Sequence, residues 1–131
     1  MVSSDTPLIS NLNIYENISL IKEVHELLSI QEAQKIADEY LSLIDLSSIG
    51  LKRKSQCSSV EIFYTMVIRA LMSSEKTIII RSPLSLIKNI REFAIILKNI
   101  DLLNSADKDI IILDTIVNET HYKGDLCLII K

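Results

Sequence analysis

CSSVEIFYTMVIRALMSSEKTIIIRSPLSLIK, residues 57 to 88, decides the fold. Ser58 or Ser59 can cap a helix, because a serine oxygen accepts the backbone N–H groups that the first helical turn leaves without partners. Behind that cap, Val60, Phe63, Val67, Ile68 and Leu71 recur at helical spacing and face a core, with Met66 on the flank. A few polar residues follow, and then Thr77 to Ile80 form a β-branched run of the kind expected for a strand buried on both faces of a parallel sheet. Arg81-Ser82-Pro83 then turns the chain out of the strand. The order is helix, buried strand, loop.

On the N-terminal side, Asp5 to Asn13 lack periodicity and Pro7 disfavours helix before it, so a loop leads into a first helix. From Ile14 to about Leu28, apolar Ile14, Ile18, Ile21, Val24 and Leu28 mark one face. Ser29-Ile30-Gln31-Glu32 reads as a capping box for a second helix to about Ile44, whose inward stripe is Ala33, Ile36, Ala37, Tyr40 and Ile44. These two helices pack antiparallel across a tight turn. Asp45 to Gln56 is a loop turning at Gly50. On the C-terminal side a helix follows Ser85-Leu86-Ile87-Lys88 and runs to about Leu103, with Ile87, Ile90, Phe93, Ile96 and Leu97 inward. Ile110 to Leu113 is a second buried strand, and Leu126 to Ile130 a third. The expected class is therefore α/β: one domain over residues 1–131, a helical part over 1–56, and over 57–131 a small, mostly parallel sheet of about three strands with flanking helices.

Composition narrows the function. The chain has 131 residues, 48% of them hydrophobic, enough for one domain with a core. Charge interrupts each apolar run well before the ~20 residues of a membrane span. The start, Met-Val-Ser-Ser-Asp, lacks the basic leader and apolar run of a signal peptide, which implies a cytoplasmic protein. A net charge of −3 with scattered signs argues against nucleic-acid binding, and Lys52-Arg53-Lys54 reads as a solvated loop. Cys57, Cys127, His25 and His121 share no metal-ligand spacing. Gly50 and Gly124 are the only glycines, so neither a phosphate-binding loop nor a dinucleotide fingerprint is possible, since both need clustered glycines.

Several of these segments resemble the ATP-binding cassette (ABC) ATPases. The family's signature loop corresponds to Cys57-Ser58-Ser59-Val60-Glu61, and the helix after it keeps Arg69-Ala70-Leu71. PLISNLNIYENISL is similar to the segment after the Q-loop in the lipid-trafficking, lipoprotein-release and cell-division branches. The resemblance covers nearly the whole chain but only the later part of such a domain, without the Walker A part. It implies a partial P-loop-NTPase-like fold and altered site positions. Ser4 stands for the Q-loop glutamine. Arg81 and Ser82 stand for the Walker B aspartate and glutamate. Ser85 and Lys88 lie in the D-loop, whose final charge Lys88 reverses, and Thr115 replaces the switch histidine. A guanidinium cannot ligate Mg²⁺, and a serine is no general base. Val60 puts a branched side chain where a phosphate would approach the helix N-terminus.

The resemblance thus implies a catalytically inactive subunit that interacts with a membrane permease, an ABC ATPase subunit, or a second copy of itself, in lipid or lipoprotein trafficking. It would dock through the helical pair, peripheral at the inner membrane, with no catalytic residue, metal or cofactor of its own. The alternative is a composite ATP site: Ser58 and Glu61 complete a nucleotide site on an intact partner, and ATP and Mg²⁺ bind only there. A free-standing α/β binding domain is a third possibility. An absent strand beside Ile110–Leu113 would leave a vacant sheet neighbour, to be closed by the third strand, a partner chain or self-association.

Overall fold

Asn13 starts the first helix. Its side chain accepts the Glu16 N–H at 2.8 Å, and the Glu16 carboxylate accepts the Asn13 N–H at 3.0 Å. The next N–H groups, of Ile14 and Tyr15, donate to the carbonyls of Lys52 and Gly50 at 2.9 and 3.0 Å, so the 45–56 loop caps α1 (Ile14–His25) from outside. This computed structural model describes residues 1–88, 91, 93–124 and 126–130. α1 stops before Leu28 because Leu27 takes a left-handed backbone (φ 54°) that ends the helix. Ser29 caps α2 (Ile30–Leu43) through the Glu32 N–H, making only the serine half of the expected box. Asp45, at φ 58°, closes the far end, with the Leu46 N–H reaching back to the Leu41 carbonyl at 2.9 Å. Ala33, Ala37 and Leu41 are buried, whereas Val24 is 59% exposed: the pair's inward stripe leaves the core before the hairpin tip.

The core is built around α3 (Ser59–Leu71). Phe63 to Ile68 are buried without interruption, as are Ala70 and Leu71. A helix apolar on every side must have neighbours on every side, and α1, α2, α4 (Pro83–Leu86), α5 (Phe93–Leu103) and β1 (Thr77–Arg81) all pack against it. β1 pairs in parallel with β2 (Asp109–Leu113), Thr77 facing Asp109 and Arg81 facing Leu113. Val2 docks on the other edge of β1: its N–H donates to Ile79, and its carbonyl accepts the Arg81 N–H, both at 2.8 Å.

The α/β class holds, with three corrections. Among the described residues the sheet has two strands, and Leu126–Ile130 is not one of them. β2 is not buried on both faces: Ile110 and Ile112 are half-buried, while Ile111 and Leu113 are exposed, and among the described residues no strand pairs with its outer edge. The helix expected to follow residues 85–88 and run to about Leu103 starts later, since Ile87, expected on its inward face, is extended (φ −106°, ψ 127°) and α5 begins at Phe93. Ile90, expected on its inward face, lies outside the described residues.

Beyond β2, Asp114 organises the 3-10 stretch Ile116–Tyr122. Its carboxylate accepts the Tyr122 hydroxyl at 2.6 Å, the Asn118 amide at 2.9 Å and the Thr115 N–H at 2.7 Å. Phe93 packs edge-on against Tyr122, with ring centroids 5.2 Å apart, and this holds the stretch on α5. Burial pushes the Asp114 carboxyl up, but the three donors and the nearby His121 outweigh it and hold it below the ordinary value of 3.8.

Gly50 lies in the expected turn, on a right-handed backbone (φ −52°), and it is also a close-approach site. A Cβ there would sit 2.0 Å from Cζ of Tyr15, whose hydroxyl donates to Asp38 at 2.8 Å.

Two outcomes follow. Gly50→Ala forces the Tyr15 ring off its seat and should lower stability by about 1–3 kcal/mol, read as a reduced urea midpoint at unchanged slope. Because the folded Asp114 pKa is depressed, its contribution is present above about pH 3.8 and lost as pH falls through the lower folded value. Asp114→Asn should therefore cost about 1–2 kcal/mol at pH 7, and the gap to the native chain should shrink in unfolding curves taken below pH 3.8.

Candidate functional site

The C-terminal end of the two-stranded sheet gathers half of the residues singled out by sequence. Arg81 ends β1, and its guanidinium meets Asp5 at 3.4 Å across an exposed surface, a pair worth about 0–1 kcal/mol. Ser82 follows in a left-handed conformation (φ 48°); its N–H donates to the Leu113 carbonyl at 2.7 Å, which ties the end of β1 to the end of β2. Its own carbonyl accepts the Ser85 hydroxyl at 2.7 Å and closes the single turn of α4. Thr115 lies just past β2, exposed, its N–H committed to Asp114.

Ser4 is exposed, next to Asp5, in a loop held by side chains from below. Asn17, buried in α1, accepts the Ile9 N–H at 2.8 Å and donates to the carbonyls of Ile9, Leu12 and Asn13 at 3.1, 3.3 and 3.0 Å. Arg69, near the end of α3, forks onto the carbonyls of Pro7, at 3.0 Å, and Thr6. Burial pushes its pKa down, and the two carbonyls supply the acceptors that a desolvated guanidinium needs. Neither residue was assigned this role from the sequence. The signals were an asparagine beside Ile14 and Ile18 on an apolar stripe, and a lone cation in an apolar helix.

The remaining candidates sit at the start of α3. Ser58 accepts the Glu61 N–H at 3.1 Å while Glu61 accepts the Ser58 N–H at 2.8 Å, a complete capping box. The Ser59 hydroxyl accepts the Lys88 N–H at 3.2 Å, so the segment after α4 is fastened to this helix start. Val60 is half-buried against the core. Burial, then the Glu61 charge, raise the Cys57 thiol against the opposing pull of Lys52, which keeps it a poor nucleophile.

Chemically, the sheet end offers one guanidinium already paired and one hydroxyl on a left-handed backbone. Both Asp114 oxygens are taken by donors. These residues do not fit a magnesium ion, which wants carboxylate and water oxygens in octahedral array. Among the described residues no group of three or more His, Cys, Asp or Glu could hold a metal, and no helix is long and apolar enough to cross a membrane.

No protein-family model matches the chain, and no curated protein does either. Among solved structures it is similar to the ATP-binding cassette MJ0796, seen as a dimer in a post-hydrolysis state bound to ADP and Pi: 23% identity, TM-score 0.69, over 89% of this chain and 52% of that one. The chain thus spans about half the length of that protein, and the fold it shares with it is part of an ATP-binding cassette.

Proposed function

We propose that this chain is an interaction subunit of an ABC transporter system that does not itself hydrolyse ATP. The observation that carries the reading is the end of β1, where a cassette-like backbone bears Arg81 turned to Asp5 and a serine, Ser82, whose main-chain carbonyl closes α4. Neither side chain can place a metal or activate water. The α1–α2 hairpin supports an interaction role: Val24, Leu27 and Ile30 are 59, 86 and 70% exposed at its tip, the apolar surface a partner would cover. In this reading the partner is a membrane permease of lipid or lipoprotein trafficking, or an intact ABC ATPase bound to one. The chain then sits peripherally on the membrane through that partner.

The composite-site reading asks Ser58 to reach nucleotide on a neighbour, but its hydroxyl is already the acceptor of the α3 cap. Ser58→Ala should therefore cost about 1 kcal/mol of stability and leave a reconstituted partner's ATP turnover unchanged; a loss of turnover beyond what unfolding explains would favour the composite site. Mg-ATP should leave the thermal midpoint of the isolated chain where it is, whereas a true ligand at a hundred times its Kd adds about 2.7 kcal/mol. Leu27→Lys with Ile30→Lys should abolish binding to a purified permease of this class in nanodiscs without lowering the midpoint. Unaltered binding would sink the hairpin as the docking element.

A further inference from the structure

The backbone bonding of β2 shows what its free edge lacks. The Asp109 N–H donates to Lys76, and the Leu113 carbonyl accepts the Ser82 N–H, so residues 109, 111 and 113 turn their main-chain groups to β1. By the alternation of a parallel ladder, the N–H and C=O groups of Ile110 and Ile112 point the other way. Among the described residues no strand or bridge meets them there. This edge opens on a cleft of about 980 Å³, whose far wall includes Leu126, Leu128 and Ile130, exposed by 52, 89 and 86%.

We propose that β2 receives an added parallel strand from another protein: an extended segment, apolar on both faces, with basic residues flanking its apolar core. The main-chain groups select a peptide, since an acyl chain would leave four of them unpaired in an apolar cleft, at a cost each comparable to a lost hydrogen bond. The apolar walls on both sides select a segment without a polar face. Charge selects the flanks: among the described residues the charged ones lining the cleft are Asp101, Asp114 and Glu119, all acidic. The same acidity disfavours a second copy of the chain, because antiparallel pairing of β2 with its twin would bring Asp109 of each copy toward Asp114 of the other. This inference does not depend on the role proposed above.

The test is amide exchange on the full chain with an acetylated, amidated probe, Lys-Lys-Val-Ile-Val-Ile-Val-Lys-Lys. In the free chain, Ile111 and Leu113 should be protected by β1 while Ile110 and Ile112 exchange fast. Saturating probe should slow Ile110 and Ile112 by about tenfold or more. The same core flanked by glutamates should bind about tenfold more weakly, and Leu128→Glu, on the exposed far wall, should weaken the lysine-flanked probe without moving the unfolding midpoint. The proposal is overturned by any of four results: no protection at millimolar probe; equal protection by a probe N-methylated at every apolar residue, or by a fatty acid, which marks a cleft for grease alone; protection of Ile110 and Ile112 in the free chain at all dilutions, which assigns the edge to the chain's own 126–130 segment; or protection that appears with dimer in sedimentation, which assigns it to a second copy.

Discussion

Arg69 is the charge on which the arrangement at the sheet end depends. Its guanidinium is partly desolvated and meets neutral carbonyls, so it is held there by directional, charge-assisted hydrogen bonds. Because those carbonyls belong to Thr6 and Pro7, the fork fixes the N-terminal loop against the end of α3. Asn17 fixes the other end of the same loop from α1. With both ends pinned, Val2 lies along β1 and Asp5 lies over Arg81. Two polar side chains reaching out of an apolar core thus do for this loop what a ladder of hydrogen bonds does for a strand.

This explains which parts of the fold were legible in the sequence. α3 and β1 follow from local pattern, because a helix and a strand enclosed by neighbours carry their burial in their own residues. The Ser58 cap follows from an S-x-x-E spacing that is complete within four residues. What pattern could not supply depends on neighbours. Ile110 to Ile112 has the composition of a buried strand, yet burial needs something to bury against, and among the described residues no strand lies on the outer side of β2. Val24 continues the apolar stripe of α1 into solvent for the same reason. The turn at Gly50 was legible, but the need for glycine there was not, because it is set by a tyrosine thirty-five positions earlier whose ring occupies the space of a side chain.

The site shows a similar division between scaffold and chemistry. A backbone similar to that of a nucleotide-binding domain is kept by capping, helix burial and strand pairing, none of which needs a carboxylate at the end of β1. The positions facing that end are therefore open to other uses, and here they serve as ties: an ion pair to the N-terminal loop, a bond to the neighbouring strand, and a one-turn closure. Function is carried by the side chains placed on a fold, and a shared fold does not bring the chemistry with it.

Ser82 shows how far the main chain itself sets the terms at this strand end. Its left-handed backbone is one that side chains other than glycine, asparagine and aspartate adopt reluctantly, and it swings the Cβ away from the direction an extended strand would give it. A longer side chain placed at position 82 would thus stand on a disfavoured backbone. What this strand terminus can do is limited by how the main chain is laid there before it is limited by which side chains stand on it.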